Sequence, residues 1–139
     1  MSRIPNWFER KFDFSFPVEL YPNLCVRLGG TPARLEEIVR SCPHEFLVRR
    51  AQEKWSAQEH AGHLLDLEPL WTVRLDDYLA RVVELKPADL TNRQTQEANH
   101  NARSIEELLG EFRTAPTRLV DRRKVWIPCC SHAQYRTRA

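Results

Sequence analysis

Apolar residues recur at helical spacing in three stretches of this chain. Leu24, Leu28, Leu35, Ile38 and Val39 mark the first, over 17–41. Gly29-Gly30-Thr31-Pro32 interrupts it, and a threonine able to cap followed by a proline suited to a first helical position predicts a kink or restart there. Cys42-Pro43 ends the stretch, because a residue before proline is pushed out of the helical region. The second stretch covers 56–81. Ser56 and Glu59 have the spacing of a capping box. At about 100° per residue, His60, Leu64, Leu67, Trp71, Leu75 and Tyr78 share one face, with His63 on its flank. Pro69 removes one backbone hydrogen bond and predicts a local kink. The third stretch, 104–120, opens on Ser104-Ile105-Glu106-Glu107, which also has capping-box spacing. It carries Ile105, Leu108, Leu109, Phe112 and Leu119, and Pro116 is a point of kinking or shortening.

The remaining segments are less regular. Residues 1–16 form an aromatic arm with Trp7, Phe8, Phe12, Phe14 and Phe16, read as packing over the bundle. Residues 82–103 are a long polar connection in which Thr91, Asn92, Thr95, Asn99 and Asn101 favour turns and caps, and long connections in compact domains are often functional. After Val120 no helical periodicity is sustained. The last nineteen residues hold five basic side chains and one acidic one. The domain reading is a helical bundle over 1–120 and an atypical basic tail over 121–139. The fold class is all-α, of up-down four-helix-bundle type with the last helix incomplete or diverged.

Composition narrows the function classes. The 139 residues suit one domain able to bury a core. A net charge of +2 is too small to argue for nucleic acid, and the basic tail is read as a solvated segment before it is read as a phosphate-binding one. No apolar run approaches the roughly 20 residues that span a bilayer. Without an apolar leader at the N-terminus, the default location is cytoplasmic. The four cysteines are read as free thiols, and adjacent Cys129 and Cys130 are poorly placed to bridge each other.

The chemistry concentrates in 55–68. His60 and His63 lie one turn apart on the second helix. Glu59 serves the capping box first, and one turn from His63 it is also a candidate to hydrogen-bond that ring. Asp66, one turn beyond His63, is a candidate to orient it, since ligating histidines usually pass their second N–H to a carboxylate or carbonyl. His100, among asparagines, is expected at the surface. Cys129, Cys130 and His132 have zinc-ligand chemistry but lack the usual gap between cysteines. No zincin motif, phosphate loop or dinucleotide fingerprint occurs, and Glu97–His100 is a lone Glu-x-x-His where a di-iron bundle needs two.

Trp55-Ser56 followed by Glu59 and His63-Leu64-Asp66 resembles the DinB-like (DinB/YfiT) superfamily. Gly30-Thr31-Pro32-Ala33-Arg34-Leu35, Asn99-His100-Asn101-Ala102-Arg103 and Glu106-Glu107-Leu108-Leu109 support the resemblance, which runs from about Phe16 to Val120. It implies a four-helix bundle, often a homodimer, that binds a divalent metal of zinc or nickel type through three histidines. It also implies a metal-dependent hydrolase or a transferase of small thiols. By position His63 matches the first ligand. The other two belong to a His-x-x-x-His pair on the last helix, whereas this chain has only His132 beyond position 120 and Arg136 four residues later. A truncated, diverged or frame-altered C-terminus gives that pattern. The expectation is therefore an incomplete site, with His60 and His132 as lesser candidate ligands and with weak or absent metal binding. The alternative function is a non-catalytic bundle serving dimerisation or binding.

Overall fold

The computed structural model describes residues 9–11, 13 and 15–124. Among them every regular element is helical. A 3-10 turn (Val18–Leu20) leads into α1 (Tyr21–Gly29) and α2 (Thr31–Arg40), followed by a short α3 (His44–Leu47). Then come α4 (Ala57–Asp66), α5 (Glu68–Leu79), α6 (Arg93–Glu97), a 3-10 turn (His100–Ala102) and the long α7 (Ile105–Lys124). The pairs α1–α2 and α4–α5 each form one broken arm. The helix α7 packs against both arms, and α6 and the His100–Ala102 turn lie on α4.

Both breaks fall where the sequence puts them. Gly30 separates α1 from α2, with Pro32 in the first turn of α2. Thr31 does not cap that helix. Its hydroxyl donates back to the Arg27 carbonyl at 2.9 Å, which ties the restart to the helix before it. At Leu67 the second arm bends, because Pro69 in the first turn of α5 has no N–H to give. The polar connection is more ordered than its composition suggests. It contains α6 and the 3-10 turn, each entered through an asparagine in the left-handed region, Asn92 (φ 53°) and Asn99 (φ 48°). The last helix also departs from expectation. It passes Pro116 and the expected end near 120 and runs on to Lys124.

A small apolar core joins the first arm to α7 at one end, where Val39 of α2, Leu47 of α3 and Leu109 of α7 are buried together, flanked by Leu35 and Ile105. Leu108, Phe112 and Ala61 are buried as well. The face that α4 buries is not the leucine face. Gln58, Glu59, Ala61 and Gly62 are its buried residues, while Leu64 stays 38% exposed and the continuing stripe leaves Trp71 at 42% and Tyr78 at 69%. The expected apolar face of 60–78 is therefore corrected. Small residues at 61 and 62 let other chain segments come close on their own side, and that side becomes the interior. The expected last bundle helix, which the sequence leaves incomplete or diverged after Val120, falls mostly outside the described residues. Of the arm over 1–16, residues 1–8, 12 and 14 lie outside them and Phe16 is 48% exposed, while the tail over 125–139 lies outside them altogether.

Candidate functional site

The site grows from the first turn of α4. Ser56 accepts from the Glu59 backbone N–H at 3.1 Å, and the Glu59 carboxylate accepts from the Ser56 backbone N–H at 2.8 Å, completing the capping box. Arg50 closes on the same carboxylate, its Nε 2.8 and 3.0 Å from the two oxygens and its terminal nitrogen on Oε1. The Arg50 hydrogen bonds hold the Glu59 carboxyl down at about 2. Both Glu59 oxygens are thus committed to Arg50 and Ser56, and the proposed bond from Glu59 to His63 is not made.

The connection between α5 and α7 is pinned onto α4 by polar contacts. Gln58 donates from Nε2 to the backbone carbonyls of His100 (2.7 Å) and Arg103 (2.9 Å). Ser56 Oγ donates to Asn101 Oδ1 at 2.7 Å, and Asn101 donates to the Val48 carbonyl at 3.3 Å. The expectation of a surface His100 is overturned: the residue is 1% exposed. Its ring fills the space above Gly62, where an added Cβ would lie 2.2 Å from His100 Cγ. A histidine is buried here because its neighbours satisfy the backbone around it and a carboxylate meets its ring.

That carboxylate is Asp66. His100 Nε2 lies 2.8 Å from Asp66 Oδ2, and Thr95 Oγ1 donates to the same oxygen at 2.8 Å. Gln94 Nε2 reaches Oδ1 at 3.3 Å. Thr95 Oγ1 in turn lies 2.9 Å from His63 Nδ1. These distances fix the proton positions. A threonine hydroxyl has one proton, and it is spent on Asp66, so His63 must donate from Nδ1 to the threonine oxygen. His63 is thereby held in the Nδ1–H tautomer, and its Nε2 carries the lone pair. By the same logic His100 donates from Nε2 to Asp66. Its Nδ1 is buried without a hydrogen-bond partner.

His63, Asp66 and Thr95 line a cleft of about 280 Å³ with Leu67, Leu70 and Lys86. Burial, ahead of the other influences, pushes the His63 imidazole below its usual value. Asp66 pulls it up, and His60 and His100 add to the lowering. Trp55 covers the ring at 4.9 Å between centroids and meets exposed His60 edge-on at 5.5 Å. The sequence singled out His63 and Asp66 as candidates, with Asp66 orienting His63 directly; here they meet through Thr95, which it read only as a turn former, and His100 is buried. Two left-handed asparagines flanking a short polar helix are the pattern that places both. His132, Cys129 and Cys130 lie outside the described residues. Cys25 and Cys42 are free thiols.

The DinB superfamily matches the chain over residues 27–122. The chain belongs to the DinB superfamily. No curated protein and no solved structure matches it significantly. No helix among its described residues is long and apolar enough to cross a membrane. The DinB-like resemblance implies a divalent metal held by three histidines, and the donor chemistry here tests that. Asp66 Oδ2 already takes two hydrogen bonds, and His100 Nε2 is turned to Asp66. No three His, Cys, Asp or Glu among the described residues converge to hold an ion. In the described part of this DinB bundle, His63 Nε2 is the single imidazole nitrogen offered to the cleft, so these residues do not by themselves fit a three-ligand metal.

Proposed function

We propose that this DinB-superfamily chain is a small-molecule-binding bundle that works without a resident metal. In this reading His63 is the polar anchor of the cleft beside Leu67, Leu70 and Lys86. The observation that carries the reading is the Thr95 hydroxyl between Asp66 and His63. It turns a neutral imidazole into a fixed hydrogen-bond acceptor at Nε2 and ties up the nearest carboxylate, which a divalent cation would otherwise use. A neutral, oriented imidazole is also competent as a general base. The apolar wall of the cleft suits a compact organic molecule bearing a hydroxyl, thiol or acidic N–H that donates to His63. Lys86, whose ammonium has no described partner, favours a negative charge on the same molecule.

A second reading is the metal-dependent hydrolase or thiol transferase implied by the superfamily, with His63 as one ligand. The free Nε2 of His63 favours it, and its remaining ligands would have to come from beyond residue 124, where His132 lies. Titration calorimetry with zinc and nickel on the full chain, with metal analysis of the purified protein, separates the two. The binding-module reading expects no stoichiometric tight metal. One equivalent of metal bound tightly, and lost in His63→Ala, would replace it with the second reading.

A further inference from the structure

A second opening lies on the other side of the α4–α5 arm from the His63 cleft. Its walls include Leu28 of α1, Leu64 of α4, Trp71 and Leu75 of α5, and Phe112 of α7, around a volume of about 560 Å³. That is within the roughly 300–1,000 Å³ of small-molecule sites, which pair an apolar lining with a few polar groups. One such group is Glu68, at the start of α5. Its Oε2 is enclosed and makes no hydrogen bond, and burial pushes its carboxyl above the usual range. Among the described residues no cation pairs with it. The nearest basic residue on its helix, Arg74, is engaged elsewhere: its guanidinium lies 5.3 Å over the Trp71 ring and its Nε donates to the Lys86 carbonyl at 2.8 Å.

An enclosed carboxylate oxygen without a partner is costly, and native proteins rarely leave one so. We propose that this groove binds an organic amine, a protonated ammonium on an aromatic or aliphatic body, with Glu68 as its counter-charge. The ammonium meets the Glu68 carboxylate from the groove side and balances the charge that its enclosed Oε2 leaves unpaired, and the body covers Leu64, Trp71 and Phe112. An organic anion of the same shape is repelled by Glu68, and a neutral alcohol offers one donor and no charge. The site is independent of His63 and does not rest on the function proposed above.

The test uses the full chain and three probes that share one body: 4-phenylbutylamine, 4-phenylbutanol and 4-phenylbutyrate. Binding is followed by titration calorimetry and by tryptophan fluorescence. The amine is expected to bind at least about tenfold more tightly than the alcohol, with the acid weakest. Glu68→Gln should bring amine and alcohol within about twofold of each other, and His63→Ala should leave the order unchanged. Leu64→Lys, one turn before Glu68, should fill the charge from within. It should raise the melting temperature and abolish amine binding. Equal affinities for amine and alcohol in the unaltered chain would overturn the proposal whether or not any variant folds. So would an amine preference that survives Glu68→Gln, or one that disappears in His63→Ala.

Discussion

His100 occupies the space that a side chain at Gly62 would need. An added Cβ would lie 2.2 Å from His100 Cγ and 2.5 Å from Nδ1. Alanine favours a helix over glycine by roughly 1 kcal/mol, yet Gly62→Ala is expected to lose roughly 2–4 kcal/mol, because the buried ring must leave its place. In Gly62→Ala/His100→Ala the two costs should fall well short of additive, since the clash disappears with the ring. Urea unfolding of the four proteins of this cycle measures the coupling. Simple additivity would mean that the two residues do not meet.

Thr95→Val removes the hydroxyl that joins Asp66 to His63. It strands the Nδ1 donor in a half-buried setting and should cost roughly 1–3 kcal/mol. The more specific readout is nitrogen NMR of the His63 ring. The unaltered chain should show the Nδ1–H tautomer, and Thr95→Val a mixture. Persistence of a single Nδ1–H form in the variant would sink the assignment.

The His63 titration has a defined sign. Burial lowers its folded value below 6.5. As pH falls through about 6.5, the unfolded chain takes up a proton that the folded chain still refuses. The contribution to stability is thus complete above that pH and declines on the acid side until the folded ring titrates. A proton NMR midpoint for His63 at or above 6.5 would contradict this.

The Arg50–Glu59 pair governs a lower window. The Glu59 carboxyl titrates at about 2 in the fold instead of 4.5, so its stabilisation is present above 4.5 and is lost as pH drops toward 2. Because Arg50 is 58% exposed, solvent screening discounts the pair, and about 2 kcal/mol is expected. Glu59→Gln should lower stability at neutral pH by about that amount and flatten the acid limb of the unfolding curve.

The parts of this fold legible in the sequence are those set by chemistry close along the chain. Ser56 and Glu59 are three residues apart, and their cap is local. Pro69 bends the arm wherever the rest of the chain goes. The burial of His100 depends on Asp66, thirty-four positions earlier in the chain, and on the missing side chain at Gly62. Asparagine neighbours suggested solvent at His100, but Asn101 is half-buried and spends its amide on Val48 and its oxygen on Ser56. The leucine stripe of 64–78 misled for a related reason. Periodicity identifies an apolar face but not what covers it, and α4 turns Gln58, Ala61 and Gly62 inward instead.

That inward polar face has a kinetic consequence. A helix whose buried side is Gln58, Glu59, Ala61 and Gly62 gains little from early collapse. Its docking waits for backbone acceptors 42 and 45 residues further along the chain, at His100 and Arg103. These hydrogen bonds replace bonds to water and gain little until the apolar core has closed beside them, so they are expected to form after the rate-limiting step. Gln58→Ala should therefore leave the refolding rate nearly unchanged and place its whole cost in faster unfolding. The clasp between α4 and the 99–103 segment would set how long the native state lasts, while the apolar contacts around Val39, Leu47 and Leu109 set how quickly it is reached.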